Sequence, residues 1–197
     1  MPISIAPAEK ADAAGLAVLA DIAGHGLPSW LWQRAREKEG FHSAMEVGRE
    51  RVLSDDHVLS HRGMVAAKVD GVLAGMLLDY PLATSNSEAD IAEAGPVIGP
   101  LLRLENQVPG CWYVNMLAVF RQYRGMGIGL RLLEESEKRA LAAGKTEMGI
   151  IVEDDNPARR LYESFGFEAV GAEPFSPFGG SLKAGGEWVV MRRPVKG

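Results

Sequence analysis

The stretch Trp112–Gly129 reads WYVNMLAVFRQYRGMGIG and predicts a buried strand followed by a basic turn that is dense in glycine. A helical pattern begins directly after this turn. Because glycine has no Cβ, Gly125, Gly127 and Gly129 allow the chain to curl tightly. The first N–H groups of a helix lack acceptors within the helix, and the helix dipole is positive at that end. With Arg124 beside it, the turn predicts a binding site for a phosphate or pyrophosphate group.

Three kinds of phosphate ligand compete for this turn. A nucleoside-triphosphate loop requires lysine and then serine or threonine after its last glycine, whereas Leu130 and Arg131 follow here. A dinucleotide fingerprint has the spacing G-x-G-x-x-G directly after the strand, and this turn reads G-x-G-x-G after a five-residue gap. Glu153 closes the next predicted strand, which keeps the dinucleotide interpretation open. The third ligand is coenzyme A.

Two motifs favour coenzyme A through a family resemblance. The run Arg124-Gly125-Met126-Gly127-Ile128-Gly129 resembles the acyl-CoA signature R/Q-x-x-G-x-G/A of the GNAT superfamily of N-acetyltransferases. Leu117-Ala118-Val119 resembles the end of the strand that precedes this signature. Residues 155–167, DNPARRLYESFGF, are similar to the second block of the family, N-x-x-A-x-x-L-Y-x-x-x-G-F, although Asp155 occupies the asparagine slot and Asn156 follows one place later.

The resemblance implies an α/β fold with a mixed, mostly antiparallel central sheet, helices on both faces and a splayed central strand pair. It implies acetyl-CoA as the acyl donor and an amine as the acceptor, either a small molecule or a peptide. The residues that the family pattern places on the cofactor are Leu117, Val119, Arg124, Gly125, Met126, Gly127, Ile128, Gly129, Leu130 and Asn156. Many relatives form dimers, so a homodimer is among the expectations.

Tyr162 takes the position of the family tyrosine that protonates the departing thiolate. Its ordinary pKa, near 10, keeps the phenol protonated at neutral pH, as an acid must be. Plain packing in the core is the competing interpretation, since Tyr162 also lies on the apolar face of its predicted helix.

The general base departs from the common pattern of the family. Many relatives carry a glutamate two residues before the leucine of L-x-V, and here that residue is Asn115, which cannot accept a proton. A water molecule, Glu105, Asp79 or bulk solvent remain as routes for the proton of the amine. Loss of the carboxylate also keeps a second hypothesis open, a non-catalytic acyl-CoA sensor or regulatory module.

Composition restricts the remaining classes. The chain has 197 residues, 47% of them hydrophobic, which suits a single acetyltransferase domain over residues 1–197. A net charge of −5 disfavours a nucleic-acid partner, and no apolar run is long enough to predict a membrane span. The one cysteine, Cys111, excludes an internal disulfide and favours a cytoplasmic location. His57 and His61 are four residues apart but lack further ligands nearby in sequence, so no metal site is predicted.

Periodicity and turn signals predict the elements around the two motifs. Strands are expected at 3–6, 64–69, 72–80, 112–119, 147–152, 167–170 and 187–192, with a hairpin turn at Asp70-Gly71. Helices are expected at 8–24, from Pro28, at 43–53, from the glycine turn to Ala143, and from Asn156 as N-cap to Gly166. Residues 81–100 are predicted to be a long loop with one helical turn near 87–94, followed by a short helix at 101–107. A second long loop is expected at 173–186.

Overall fold

The computed structural model describes residues 2–82, 85–179 and 185–196. Its strands are β1 (Ile3–Pro7), β2 (Met64–Val69), β3 (Val72–Pro81), β4 (Trp112–Val119), β5 (Glu147–Glu153), β6 (Glu168–Pro174) and β7 (Glu187–Pro194). Its α-helices are α1 (Ala13–Ala23), α2 (Leu27–Glu39), α3 (Ala44–Leu53), α4 (Glu88–Glu105), α5 (Ile128–Ala142) and α6 (Arg159–Phe165).

The strands form one mixed sheet in the order β1-β2-β3-β4-β5-β7-β6. Strands β4 and β5 pair in parallel, whereas β1–β2, β2–β3, β5–β7 and β6–β7 are antiparallel. The parallel register ends at Val114 and Ile150, although β4 continues to Val119 and β5 to Glu153. This confirms the predicted mixed, mostly antiparallel sheet.

The chain divides into two compact units. The first contains the residues up to Asp79 together with Met116–Glu135, and the second contains Tyr80–Asn115 together with the residues from Ser136 onward. Strand β4 and helix α5 each contribute to both. The single domain over residues 1–197 therefore stays a prediction.

The β2–β3 hairpin in the first unit follows the predicted turn chemistry. Asp70 and Gly71 have φ angles of 49° and 80°, and positive values at both central positions define the turn type that matches strand twist. Helix α1 is shorter than predicted because Lys10–Asp12 forms a separate 3-10 turn ahead of it.

Helix α4, in the second unit, replaces most of the predicted loop at 81–100. Ser87 Oγ accepts from the Asp90 backbone N–H at 3.2 Å, and Asp90 Oδ2 accepts from the Ser87 backbone N–H at 2.9 Å. This reciprocal cap starts the helix. Gly95 interrupts it with a φ of 71°, and Pro96 then begins the second half. Prolines and glycines that indicated a loop thus mark a break between two helical segments.

The apolar face predicted for helix α5 is the face that is buried. Its members are all at most 1% exposed: Ile128, Leu132, Leu133, Ser136 and Ala140. In the first unit, Ile128 and Leu132 join a core that includes Leu16, Leu19, Met76 and Leu77. Burial of this stripe fixes the start of α5, and with it the glycine turn that precedes the helix.

Gly75 permits close packing at the point where β3 meets β4 and α5. A Cβ at this position would lie 2.9 Å from the Ala118 carbonyl oxygen and 3.3 Å from Ile128 Cγ2. The 2.9 Å distance is shorter than the contacts that Cβ atoms make in real proteins. The Ala118 carbonyl oxygen belongs to the backbone, so it cannot move aside as a flexible side chain could. Gly75 is thus required by the packing of β3 against the segment that leads into the glycine turn.

We expect Gly75→Ala to lower the free energy of unfolding by about 1–3 kcal/mol, because the added methyl group overpacks this junction. The midpoint of urea unfolding measures the change. Gly63→Ala is the matched control, since its Cβ would meet nothing closer than Leu78 Cδ1 at 3.4 Å. Equal midpoints for the two variants would contradict the packing argument.

Candidate active site

The glycine turn is attached to the sheet at the start of β3 and the end of β4, in the first unit. The Phe120 N–H donates to the Ala74 carbonyl at 2.9 Å, and a 3-10 turn, Arg121–Tyr123, follows. Arg124 Nε then donates to the Val119 carbonyl at 3.2 Å. These bonds hold the entry of the turn against the sheet, so the position of the turn is set by strand pairing rather than by the turn itself.

Two of the three predicted glycines have backbone conformations that favour glycine. Gly125 and Gly127 have φ angles of 79° and 76°, in the left-handed region that other residues rarely adopt. Apart from the adjacent residues in sequence, no atom of the described part of the chain lies within 4 Å of the position where a Cβ would sit on either residue. Gly129 is different, because it is the second residue of α5 and lies inside the helix. The turn is therefore open on the side where these two glycines lack side chains.

Backbone amides at the start of α5 have no acceptors within the chain as described. The Arg131 N–H donates to the Gly127 carbonyl at 3.1 Å, and it is the first helical bond of α5. None of residues 2–82, 85–179 or 185–196 accepts a hydrogen bond from the backbone N–H groups of residues 125–130. Buried or ordered N–H groups need acceptors, and a phosphate supplies several.

The charge around the turn is uniformly positive. Residues 120–131 include Arg121, Arg124 and Arg131 and no acidic residue, in a chain whose net charge is −5. All three arginines are exposed. This local excess of cations adds to the helix dipole and favours a multiply charged anion.

The other residues predicted at the cofactor have different exposures. Leu117 and Val119 are half-buried at the end of β4, and Met126 is half-buried in the turn. Ile128 is 1% exposed, so its side chain belongs to the core and only its backbone is available to a ligand. Leu130 is 42% exposed. The assignment of these residues to a cofactor stays a prediction.

Tyr162 lies in the second unit and is buried, with 4% of its surface exposed. Its ring packs edge-to-face against Phe167, with the ring centroids 6.2 Å apart. Burial raises the pKa of Tyr162 well above its ordinary value, so the phenol keeps its proton at any physiological pH. The Tyr162 side chain is therefore a packed ring whose hydroxyl is protonated at neutral pH.

Asn156 forms a turn before α6 rather than the cap of the helix itself. Its Oδ1 accepts from the Ala158 N–H at 2.8 Å, and its carbonyl accepts from the Arg159 N–H at 3.0 Å. Helix α6 begins at Arg159, so it starts later than the Asn156-Pro157 signal predicted. Gly166 ends the helix in the left-handed conformation, with a φ of 98°.

A pocket that the sequence did not predict lies in the second unit, where β3 ends. Its volume is about 300 Å³, and Tyr80, Leu82, Asn86, Glu105 and Asn106 are among its lining residues. Burial raises the pKa of Glu105, and a hydrogen bond from Asn86 opposes that shift. Glu105 thus lines a polar pocket and has a perturbed pKa. Asp79, the other carboxylate considered from sequence, is buried in the first unit with 2% of its surface exposed.

Other residues considered from sequence have structural surroundings. His61 Nδ1 donates to the Val52 carbonyl at 3.0 Å, and no group of three or more potential metal ligands occurs among the described residues. Burial raises the pKa of the Cys111 thiol to about 12, which disfavours a reactive thiolate. Trp32 packs against Gly48 in the first unit, where a Cβ would lie 2.5 Å from the indole ring.

None of the helices in the described ranges has both the length and the apolar character of a membrane span.

Comparison with known proteins identifies the family. The family model described as "Acetyltransferase (GNAT) family" matches residues 38–167, about two thirds of the chain and including both sequence motifs. The chain therefore belongs to the GNAT acetyltransferase family and is an acetyl-CoA-dependent acetyltransferase. No curated protein matches the sequence.

Solved structures share the fold at low sequence identity. An acetyltransferase crystal structure has a TM-score of 0.64 at 23% identity and covers 98% of this chain and 100% of its own. The polyamine N-acetyltransferase of Drosophila melanogaster, which forms N-acetylagmatine, has a TM-score of 0.65 at 18% identity, with coverages of 98% and 100%. The yncA protein of Salmonella typhimurium with its cofactor acetyl-CoA has a TM-score of 0.57 at 18% identity, with coverages of 98% and 94%.

We expect Glu105→Gln to stabilise the protein at neutral pH. The raised pKa means that the folded protein binds a proton at Glu105 more tightly than the unfolded chain does. Ionisation of Glu105 therefore opposes folding, and this cost develops as the pH rises from the ordinary pKa of the unfolded chain to the raised pKa of the folded protein. The urea midpoint of the variant should exceed that of the wild type at pH 7, and the difference should shrink below the ordinary glutamate pKa of about 4.3.

Glu93→Gln, an exposed change on the same helix, is the control and should shift the midpoint little at either pH. An unchanged or lowered midpoint for Glu105→Gln at pH 7 would contradict the assignment of a desolvated carboxylate.

Proposed function

We propose that the protein is an N-acetyltransferase that transfers the acetyl group of acetyl-CoA to an amine by direct attack. The observation that carries this proposal is the set of backbone N–H groups at 125–130, which lack acceptors among the described residues beside three exposed arginines. The diphosphate of coenzyme A supplies acceptors of the right charge and number for such a turn. Family membership indicates that acetyl-CoA is the acyl donor, and the glycine turn gives a physical reason for its binding.

The cofactor residues are proposed to act mainly through the backbone. The amides of Gly125, Met126, Gly127, Ile128, Gly129 and Leu130 would bind the diphosphate, with Arg124 adding charge. The family pattern assigns the backbone of Leu117 and Val119 to the pantetheine arm and Asn156 to a further cofactor contact. The Nε–H group of Arg124 donates a hydrogen bond to the Val119 carbonyl, so the arginine side chain is held beside the turn.

The proposed reaction needs one proton acceptor and one proton donor. The nitrogen of a neutral amine attacks the thioester carbonyl carbon, a C–N bond forms, and the C–S bond breaks with its electron pair leaving on sulfur. Tyr162 donates its phenolic proton to the thiolate and is reprotonated by solvent. The attacking nitrogen loses one N–H proton to water as the amide forms, because Asn115, at the usual glutamate position, cannot accept a proton.

The turn can be tested with Gly127→Ala. A left-handed φ costs a residue with a Cβ about 1–2 kcal/mol, so we expect the dissociation constant for CoA to rise about tenfold. Calorimetry with CoA measures the effect, and the same titration with pantetheine, which has no diphosphate, should be unaffected. Gly144→Ala is the matched control, since Gly144 has a φ of 67°, open space around it and a position at the other end of α5.

If the Gly127 variant binds CoA as tightly as the wild type does, or loses pantetheine affinity to the same degree, the diphosphate does not bind at this turn.

The acid can be tested with Tyr162→Phe. Removal of a positioned proton donor typically costs about 100-fold or more in rate, so kcat should fall by that order while CoA affinity is retained. Thiol release from acetyl-CoA over a panel of primary amines measures kcat. Tyr123→Phe, a phenol beside the glycine turn, serves as the control and should leave kcat within about twofold of the wild type.

An unchanged kcat for Tyr162→Phe would show that the residue only packs. Tight CoA binding without amine-dependent thiol release in the wild type would remove the transferase proposal.

A further inference from the structure

A buried arginine lies on β7, in the second unit. The side chain of Arg193 is 3% exposed, and its Nη2 donates to Glu137 Oε1 on α5 at 2.6 Å. Its Nε donates to the Pro194 carbonyl at 3.2 Å, and the Lys196 N–H donates to the same Glu137 oxygen at 3.0 Å. Charged side chains are rarely buried unless they are paired. The two bonds that Arg193 donates fix the plane of its guanidinium group.

The guanidinium group of Arg193 lies over an aromatic ring at the end of α6. Its Cζ is 4.2 Å from the ring centroid of Phe165, the last residue of that helix. A cation within about 6 Å of a ring centroid is attracted by the ring face, and the attraction is stronger where water is excluded. Arg193 therefore connects β7 and α5 to the end of α6.

The aromatic contacts continue from Phe165 to Tyr162. Phe165 stacks on Phe167, with centroids 6.3 Å apart and an angle of 25° between the ring planes. Phe167 then meets Tyr162 edge-to-face at an angle of 73°, and its N–H donates to the Tyr162 carbonyl at 3.0 Å. Among the described residues, none forms a hydrogen bond with the Tyr162 hydroxyl. The orientation of the Tyr162 ring is therefore set by packing rather than by a bond to its oxygen.

Helix α6 is too short to hold Tyr162 in place without tertiary contacts. It has seven residues and ends at Gly166, whose φ is 98°. Isolated helices shorter than about 12–15 residues are marginal in water, so α6 depends on what its side chains pack against. Glu137, Phe165 and Arg193 all lie in the second unit with Tyr162. Phe165 is part of the family motif at 155–167, whereas Arg193 and Glu137 lie outside it.

We propose that Arg193 is a positioning residue, which acts through Phe165 and Phe167 to hold the Tyr162 phenol where it can protonate the thiolate. The inference rests on the proposed N-acetyltransferase function. Arg193 itself transfers no proton, because a guanidinium group stays charged in proteins. A general acid must lie within hydrogen-bond reach of its target, and a displacement of about 1 Å can cost about 100-fold in rate.

Arg193→Met tests the proposal through the rate of acetyl transfer. We expect kcat to fall about tenfold, while the dissociation constant for CoA stays within about twofold of the wild-type value. Arg192→Met is the matched control on the same strand. Arg192 is exposed, its Nη1 lies 3.6 Å from Glu147 Oε1, and its replacement should leave kcat unchanged.

A double-mutant cycle with Tyr162→Phe separates positioning from a general loss of structure. If Arg193 acts through the Tyr162 hydroxyl, Arg193→Met should lower kcat in the wild type but not in the Tyr162→Phe background. Phe165→Leu provides a second route to the same answer, because it removes the stacked ring and leaves the ion pair with Glu137 intact. It should lower kcat in the same way, and it decides the question if Arg193→Met does not fold.

Fluorine NMR follows the Tyr162 ring without reference to activity. The chain has four tyrosines, and in protein labelled with 3-fluorotyrosine the Tyr162→Phe variant identifies the Tyr162 signal by its loss. Arg193→Met and Phe165→Leu should both shift this signal, whereas Arg192→Met should leave it in place. The Tyr123 signal, from the first unit, should stay unchanged in all three variants.

The outcomes distinguish this inference from the proposed function. An unshifted Tyr162 signal and a wild-type kcat in the folded variants would overturn the inference, while a slow Tyr162→Phe enzyme would leave the transferase proposal standing. An equal loss of kcat from Arg193→Met with and without the Tyr162 hydroxyl would also overturn the inference. A wild-type kcat for Tyr162→Phe would remove the acid role in the proposed function, and the positioning role with it.

Discussion

The requirement that backbone N–H groups find acceptors governs the glycine turn at 125–130. The first bond of α5 runs from Arg131 to Gly127, which leaves the amides of residues 125–130 without acceptors among the described residues. Strand pairing at Ala74 and Phe120 and the buried side chain of Ile128 hold that segment in place. The packing of the sheet thereby holds these N–H donors in place, and in our proposal an anion supplies their acceptors.

The sequence predicted this region well because its signals are local. The strand at 112–119 has the predicted bounds, the stripe from Ile128 to Ala140 is the buried face, and the Asp70-Gly71 step forms the hairpin. Each feature depends on side-chain alternation, helical period or backbone freedom within a few residues. The role of Gly129 was less clear from sequence, because alternating glycines do not reveal which of them will lie inside the following helix.

Prediction was weaker between β3 and β4. Gly95, Pro96 and Pro100 indicated a loop, although the Ser87–Asp90 capping signal that starts α4 was present in the sequence. Proline disrupts a helix interior but is tolerated in a first turn, and only the break at Gly95 turns Pro96 into a first-turn residue. The pocket could not be predicted either, because it depends on Asn86 and Asn106, twenty residues apart, exchanging hydrogen bonds.

The described residues that line the cavity around Glu105 lie between Tyr80 and Asn106, whereas the glycine turn lies in residues 120–131. Recombination or insertion between β3 and β4 can therefore replace one without altering the other. A chimaera carrying a different segment between β3 and β4 would keep the sequence of the glycine turn unchanged. The connection between β3 and β4 is thus a natural place to begin recombination experiments on this fold.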